Sequence, residues 1–169
     1  LGNTCFINSC MQVLSHTNKF NEILDNKNTY KKLNKVGDTL ILLEWNNLRK
    51  MLWKENCVIS PGKWIDTVHK VAKLKGALLF TEYSQNDSQE FLLFIIDCFH
   101  NSLKREVDMN IKGNIKCKQD KLAYNCYEMI KKLYEHEYSE VLNLFFGIHV
   151  SQIVRHDSDE VLSYNPEPF

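Results

Sequence analysis

The sequence predicts an α+β fold in which helices come first and strands last. From Cys5 to Glu137, apolar residues recur at three- and four-residue steps, the period of helices with one buried face. From Phe146 the period drops to two: Phe146, Ile148 and Val150 alternate with Gly147, His149 and Ser151, as in a strand. With 169 residues, 44% hydrophobic and 25% charged, the chain can build one core of ordinary globular composition.

The first helix is expected to open at Cys5, with Phe6, Cys10, Val13 and Leu14 near one face. Gly2 permits a tight lead-in, and Asn3 or Thr4 is placed to cap the first turn. A thiol at that position feels the positive end of the helix dipole, which favours the nucleophilic thiolate. Cys5 is therefore the candidate for covalent catalysis. Cys10, Cys57, Cys98 and Cys126 read instead as small buried hydrophobes.

His16-Thr17-Asn18 reads as a stop and Phe20 to Leu24 as a short helical turn. A longer helix is expected from Thr29 to Glu55, its core stripe formed by Leu33, Val36, Leu40, Leu43, Leu48, Met51 and Leu52. Ser60-Pro61 is a helix start, with Ser as cap and Pro at the first helical position. Trp64, Ile65, Val68 and Val71 form its buried face, His69 lies on the solvated side, and Gly76 ends it. Ala77 to Tyr83 reads as an extended loop.

In SQNDSQEFLLFIIDCFH, residues 84–100, Asp87 and Glu90 resemble a capping arrangement before an apolar run, with Phe91, Leu92, Ile95 and Phe99 packing inward. Read locally, the cluster of Gln85, Asp87 and Glu90 is plain capping. Residues 101–121 form a Lys-rich connector, followed by a helix over Leu122 to Glu137 with Leu122, Cys126, Met129, Ile130 and Leu133 inward. After the first strand, a polar turn at His156 to Asp159 leads to a second over Val161 to Tyr164, making a hairpin. His156, Asp157 and Asp159 have the spacing of a solvated turn rather than of a metal site.

Lys plus Arg and Asp plus Glu are 21 each, so no global charge draws the chain to nucleic acid or to an anionic membrane. No apolar run has the length of a membrane span, and no signal peptide opens the chain. Six irregularly spaced cysteines without a CxxC pair suit a reducing cytoplasmic or nuclear setting better than a disulfide framework. The chain opens on Leu rather than Met and stops within strand-rich sequence, so it reads as an excerpt of a longer polypeptide.

LGNTCFINSCMQVL resembles the cysteine box of the ubiquitin-specific proteases, papain-like cysteine deubiquitinases. SQNDSQEFLLFIIDCF is similar to that family's glutamine-aspartate-glutamine-glutamate-phenylalanine helix. LFFGIHVSQI with the terminal EPF resembles the run entering the family's fingers region, and the three strings stand in family order over nearly the whole chain. The resemblance implies a thumb, palm and fingers arrangement. Residues 1–144 would be a mainly helical thumb, 145–169 the first strands of fingers and palm, and the palm with its histidine would be absent.

The resemblance further implies that Cys5 is the nucleophile. Asp87 matches the acid that pairs with arginines in ubiquitin's C-terminal tail, and Gln85 and Glu90 flank it and share that job. Such carboxylate–arginine contacts fix register as well as adding affinity. Capping and substrate binding are then two roles of one residue. The oxyanion asparagine would immediately precede Leu1, and the catalytic histidine and its orienting partner would follow Phe169. None of the six histidines lies in a matching motif. The family's first zinc-ribbon positions fall near Arg155 and Ser158, so neither zinc nor any cofactor is expected. The implied reaction is hydrolysis after ubiquitin's C-terminal glycine, with ubiquitin and ubiquitinated proteins as partners and residues 1–169 inactive by themselves. A catalytically silent ubiquitin-binding scaffold and a protease for another ubiquitin-like modifier stay open beside it.

Overall fold

A computed structural model of the chain describes residues 2–54, 58–158 and 160–169. The expected burial of Cys57, the helix end at Glu55 and the role of Asp159 in the polar turn lie outside the described residues. The chain divides into two compact units, Leu1–Leu103 and Lys104–Phe169. Helices come first and a two-stranded sheet last, as the α+β reading requires.

The first unit holds α1 (Cys5–Ser15), α2 (Asn18–Asp25), the short α3 (Lys27–Tyr30), α4 (Asp38–Leu52), α5 (Gly62–Lys75), a 3-10 turn (Leu78–Phe80) and α6 (Ser88–Leu103). Helix α6 is central, packing on both α1 and α4, while α4 also packs on α5. Its apolar run supplies Phe91, Ile95 and Phe99, none of which has any exposed surface, as the periodicity required. Phe91 is met edge-on by Phe6 of α1 at 5.1 Å, by Phe80 at 5.5 Å and by Trp64 of α5 at 6.4 Å. Edge-to-face contacts of this kind add to the energy of burial. Three elements thus meet on one ring.

Four expectations for this unit need correction. The long helix begins at Asp38 rather than Thr29, because residues 31–37 turn away from helical geometry between α3 and α4. Its buried stripe is Ile41, Leu42, Trp45 and Leu48, whereas Val36, Leu40 and Met51 are exposed. With apolar residues on nearly every side of the helix, periodicity could not say which face turned inward. Val13 is likewise exposed, and Ile7 and Met11 take its place in the core. The segment after Gly76 is not simply extended, since the 3-10 turn buries Phe80. Gly76 itself ends α5 as expected, with a left-handed φ of 72° that glycine adopts without a Cβ clash.

A polar clasp joins three helices. The Lys75 ammonium, in the last turn of α5, donates to Asp38 at the start of α4 (2.8 Å) and to Asp97 of α6 (2.9 Å). Asn101 donates to Asp38 as well, at 3.0 Å. Asp38 and Lys75 each sit at the helix end whose dipole favours the charge, while Asp97 lies within α6. Burial alone would lower the basicity of Lys75, but the bonds to the two carboxylates outweigh it and hold the ammonium charged above its usual range.

The second unit holds α7 (Lys118–Glu137), α8 (Glu140–Phe145), β1 (Ile148–Val154) and β2 (Val161–Pro168). Helix α6 runs to Leu103 and α7 begins at Lys118, so regular structure extends further into the expected connector from both sides. The α7 start is a capping box: the Asp120 carboxylate accepts from Cys117 N at 3.0 Å, and Cys117 Sγ accepts from Asp120 N at 3.5 Å. A thiol is an unusual cap, which hid this start from the sequence. Helix α8 is also unanticipated; Ser139 caps it through Leu142 N at 2.9 Å. The strands pair antiparallel from Ile148 opposite Pro168 to Val154 opposite Val161, with an irregularity at Ile153/Val154. β2 runs through two prolines past the expected end at Tyr164. A strand with one free edge tolerates residues that cannot donate to a ladder.

Candidate active site

Cys5 is the first residue of α1 and its side chain is exposed. Thr4 is the residue before it, and its carbonyl accepts the first helical bond, from Asn8 N at 2.9 Å. The expected side-chain cap does not form on Thr4. Asn3 does not cap either. Its side chain reaches across the fold, Nδ2 donating to the Tyr83 carbonyl at 3.1 Å. A tight turn in the lead-in lies at Asn3, which takes a left-handed φ of 53°, the one non-glycine residue to do so among those described. Asparagine is among the few residues that enter this region at low cost.

Further along α1, the Cys10 thiol donates to the Ser88 carbonyl at 3.2 Å, where α6 begins. Burial, and after it the negative charge of Asp87, push the Cys10 thiol above its ordinary range. Cys10 is therefore a buried, protonated donor, as its reading as a small interior residue anticipates. Its carbonyl partner, invisible in the sequence, shows what the thiol does there. Together with the Phe6–Phe91 contact, this bond lays α1 along the start of α6.

Asp87 caps α6. Its Oδ1 accepts from Gln89 N at 2.7 Å and from Glu90 N at 3.0 Å, which satisfies two amides of the first turn. Gln85, Asp87 and Glu90 are all exposed. The loop carrying Gln85 is shaped by Asn86, whose Nδ2 donates to Leu79 O at 2.8 Å and Ser84 O at 3.2 Å. Tyr83, at the other end of that loop, has its ring met edge-on by His69 at 5.0 Å, so His69 is half-buried rather than solvated. The structure thus ties the lead-in of the candidate nucleophile and its second turn to the loop and cap that present the acidic cluster.

A hollow of about 150 Å³ opens on another flank of α1, lined by Thr4, Ile7, Asn8, Met11, Trp45 and Trp64 among others. Neither Cys5 nor Asp87 lines it. Among the described residues no group of three or more His, Cys, Asp or Glu is placed to hold a metal ion, and no helix is long and apolar enough to cross a membrane.

Residues 1–161 match the family model described as ubiquitin carboxyl-terminal hydrolase. Among similar proteins, ubiquitin carboxyl-terminal hydrolase Usp2 of Drosophila melanogaster is 33% identical over 154 residues, covering 87% of this chain and 15% of that protein. Human ubiquitin carboxyl-terminal hydrolase 2 is 31% identical over 153 residues, covering 87% of this chain and 24% of that protein. Ubiquitin carboxyl-terminal hydrolase 5 of Arabidopsis thaliana is 34% identical over 112 residues, covering 62% of this chain and 11% of that protein. The chain spans about a quarter or less of the length of these relatives.

Proposed function

This chain belongs to the ubiquitin carboxyl-terminal hydrolase family, and we propose that it is the nucleophile-bearing part of a cysteine deubiquitinase. The full-length protein cleaves isopeptide or peptide bonds after the C-terminal glycine of ubiquitin. The observation that supports this most is the pairing of α1 with the α6 cap. Two stretches far apart in sequence, one carrying an exposed cysteine and the other an exposed, amide-held carboxylate, are bonded to each other through Cys10 and Ser88.

In this reading the Cys5 thiolate attacks the glycine carbonyl and forms a thioester. The leaving amine takes a proton from a histidine supplied by sequence outside residues 1–169, and water then releases the acyl group. Asp87 spends Oδ1 on the cap and leaves Oδ2 to receive an arginine of the incoming tail. The cap holds the carboxylate in one orientation, which suits it to set the register of a basic peptide. Gln85 and Glu90 flank that contact. The described cysteines are free thiols, which supports a reducing cytoplasmic or nuclear location.

The test is covalent capture of the full-length protein by ubiquitin carrying a C-terminal electrophile. Labelling is expected on Cys5 and is lost in Cys5→Ala. Absence of labelling in the wild type would favour a silent ubiquitin-binding scaffold. Faster labelling by a probe built on another ubiquitin-like modifier would move the substrate class.

A further inference from the structure

Asn3 lies outside the chemistry described above, yet two of its features call for an explanation. It is the one non-glycine residue with a left-handed backbone among those described, and its side chain bonds to a residue eighty positions away. Left-handed residues persist where the surroundings determine them, and they gather at functional sites. The acceptor, the Tyr83 carbonyl, belongs to the loop that carries Gln85 and leads to Asp87. That loop is ordered from within by Asn86, and the Tyr83 ring rests on His69 of α5. A displacement of Tyr83 would therefore move the peptide that presents Gln85 and Asp87.

We propose that Asn3 is a positioning residue that sets the nucleophile against the tail-binding acid, acting through the Tyr83 carbonyl. This rests on the proposed deubiquitinase reading. Only Thr4 separates Asn3 from Cys5, and Thr4 makes no side-chain cap. The near end of α1 is thus held to the acid-bearing loop by Asn3, while Cys10 holds the next turn of α1 to Ser88. The body of α1 is held by its buried face, by the Phe6–Phe91 contact and by the Cys10 bond, so the Asn3 tie acts on the turn that carries Cys5. Without that tie the segment ahead of Phe6 is free to shift, and Cys5 moves relative to a tail held by Asp87. The residue type follows from the double demand. Asparagine combines tolerance of a positive φ with an amide donor long enough to leave the local backbone.

The experiment compares Asn3→Gly, Asn3→Asp and wild type in the full-length protein. Glycine keeps the backbone freedom and removes the donor; aspartate keeps the tolerated backbone and turns the donor into an acceptor. Capture of Cys5 by the ubiquitin electrophile is expected to slow by about ten- to a hundredfold in both, the loss that follows a small misplacement of reacting groups. In turnover of a fluorogenic ubiquitin substrate, the loss is expected in kcat, with KM changed little. Alkylation of Cys5 by iodoacetamide, followed on its own peptide, is expected to stay at the wild-type rate, because that reagent needs no tail alignment. A merely structural role would instead lower the melting temperature and change the alkylation rate while leaving kcat near wild type. Wild-type capture rates in both variants would overturn the proposal and leave the family reading intact. An uncaptured wild type would overturn both.

Discussion

The two units of this chain are built on different principles. Among the described residues of the first, six α-helices and a 3-10 turn close over fully buried rings: Phe20, Trp45, Phe91 and Phe99 have no exposed surface. In the second, the inward residues of α7 other than Tyr134 are only half-buried, and the hairpin is exposed along most of both strands. A hollow of about 530 Å³ stands among Met109, Tyr127, Tyr134 and Phe146 of the second unit, against about 150 Å³ for the hollow beside α1. The lesson concerns where a precise site can be built. An exposed cysteine and an exposed carboxylate keep a fixed relation only if their helices rest on a closed core, and the first unit supplies one.

The thiols offer the sharpest break in that comparison. Burial, then the Asp38 charge, push the Cys98 thiol up to about 12, so its thiolate fraction falls about a thousandfold below that of an ordinary cysteine. Cys10 is buried and raised as well. In native protein, iodoacetamide at neutral pH is expected to modify Cys5 and Cys117, both exposed, and to spare Cys10 and Cys98 until denaturant is added. Peptide mapping by mass spectrometry checks this. Fast native labelling of Cys98 would mean that the first unit's core is not closed.

Core truncation gives the next largest effect. Phe91→Ala removes the ring on which α1, α5 and the 3-10 turn converge, and is expected to cost about 3–5 kcal/mol in urea unfolding. Leu133→Ala in α7, half-buried, is expected to cost less than about 2 kcal/mol. Equal costs would erase the contrast between the units.

A smaller effect depends on pH. The hydrogen bond from Arg49 holds the Asp25 carboxyl below its usual range, against a weaker opposing effect of burial. A depressed folded-state value means stability that is present above the unfolded-state pKa and lost as pH falls through the folded one. Asp25→Asn is expected to cost about 1 kcal/mol at pH 7, at the low end for a charge-assisted bond because water screens the exposed Asp25 end. The difference from wild type should shrink once the pH drops below about 4, where the unfolded carboxylate takes up its proton. A difference that stays constant down to pH 2 would assign the cost to packing instead.

Much of this was legible in the sequence, and the failures have physical causes. Helices with a single apolar face, such as α5, were placed with the correct buried residues, and so was the start of α1. The buried face of α4 differs from its expected stripe because apolar residues surround the helix, so its inward side is chosen by neighbours the sequence does not show. α8 escaped because a six-residue helix carries too little periodicity to register. At the candidate site, Cys5 stands out locally as a cysteine at a helix start, whereas Asp87 reads locally as a cap and takes its further role only from the family resemblance. Asn3 does not stand out, because its partner is a backbone carbonyl distant in sequence. His69 changed sides for a similar reason: the Tyr83 ring that covers it arrives from the following loop.

In the proposed deubiquitinase, α1 and the α6 cap form one site, with Cys5 reacting and Asp87 holding a basic tail in register. A double-mutant cycle on kcat/KM tests it most directly, pairing Asp87→Ala in the full-length protein with alanine at an arginine of ubiquitin's C-terminal tail. Either change alone is expected to be damaging and the second to add little to the first, a coupling of about 1–3 kcal/mol. Strictly additive losses, or an Asp87→Ala enzyme as fast as wild type, would contradict it.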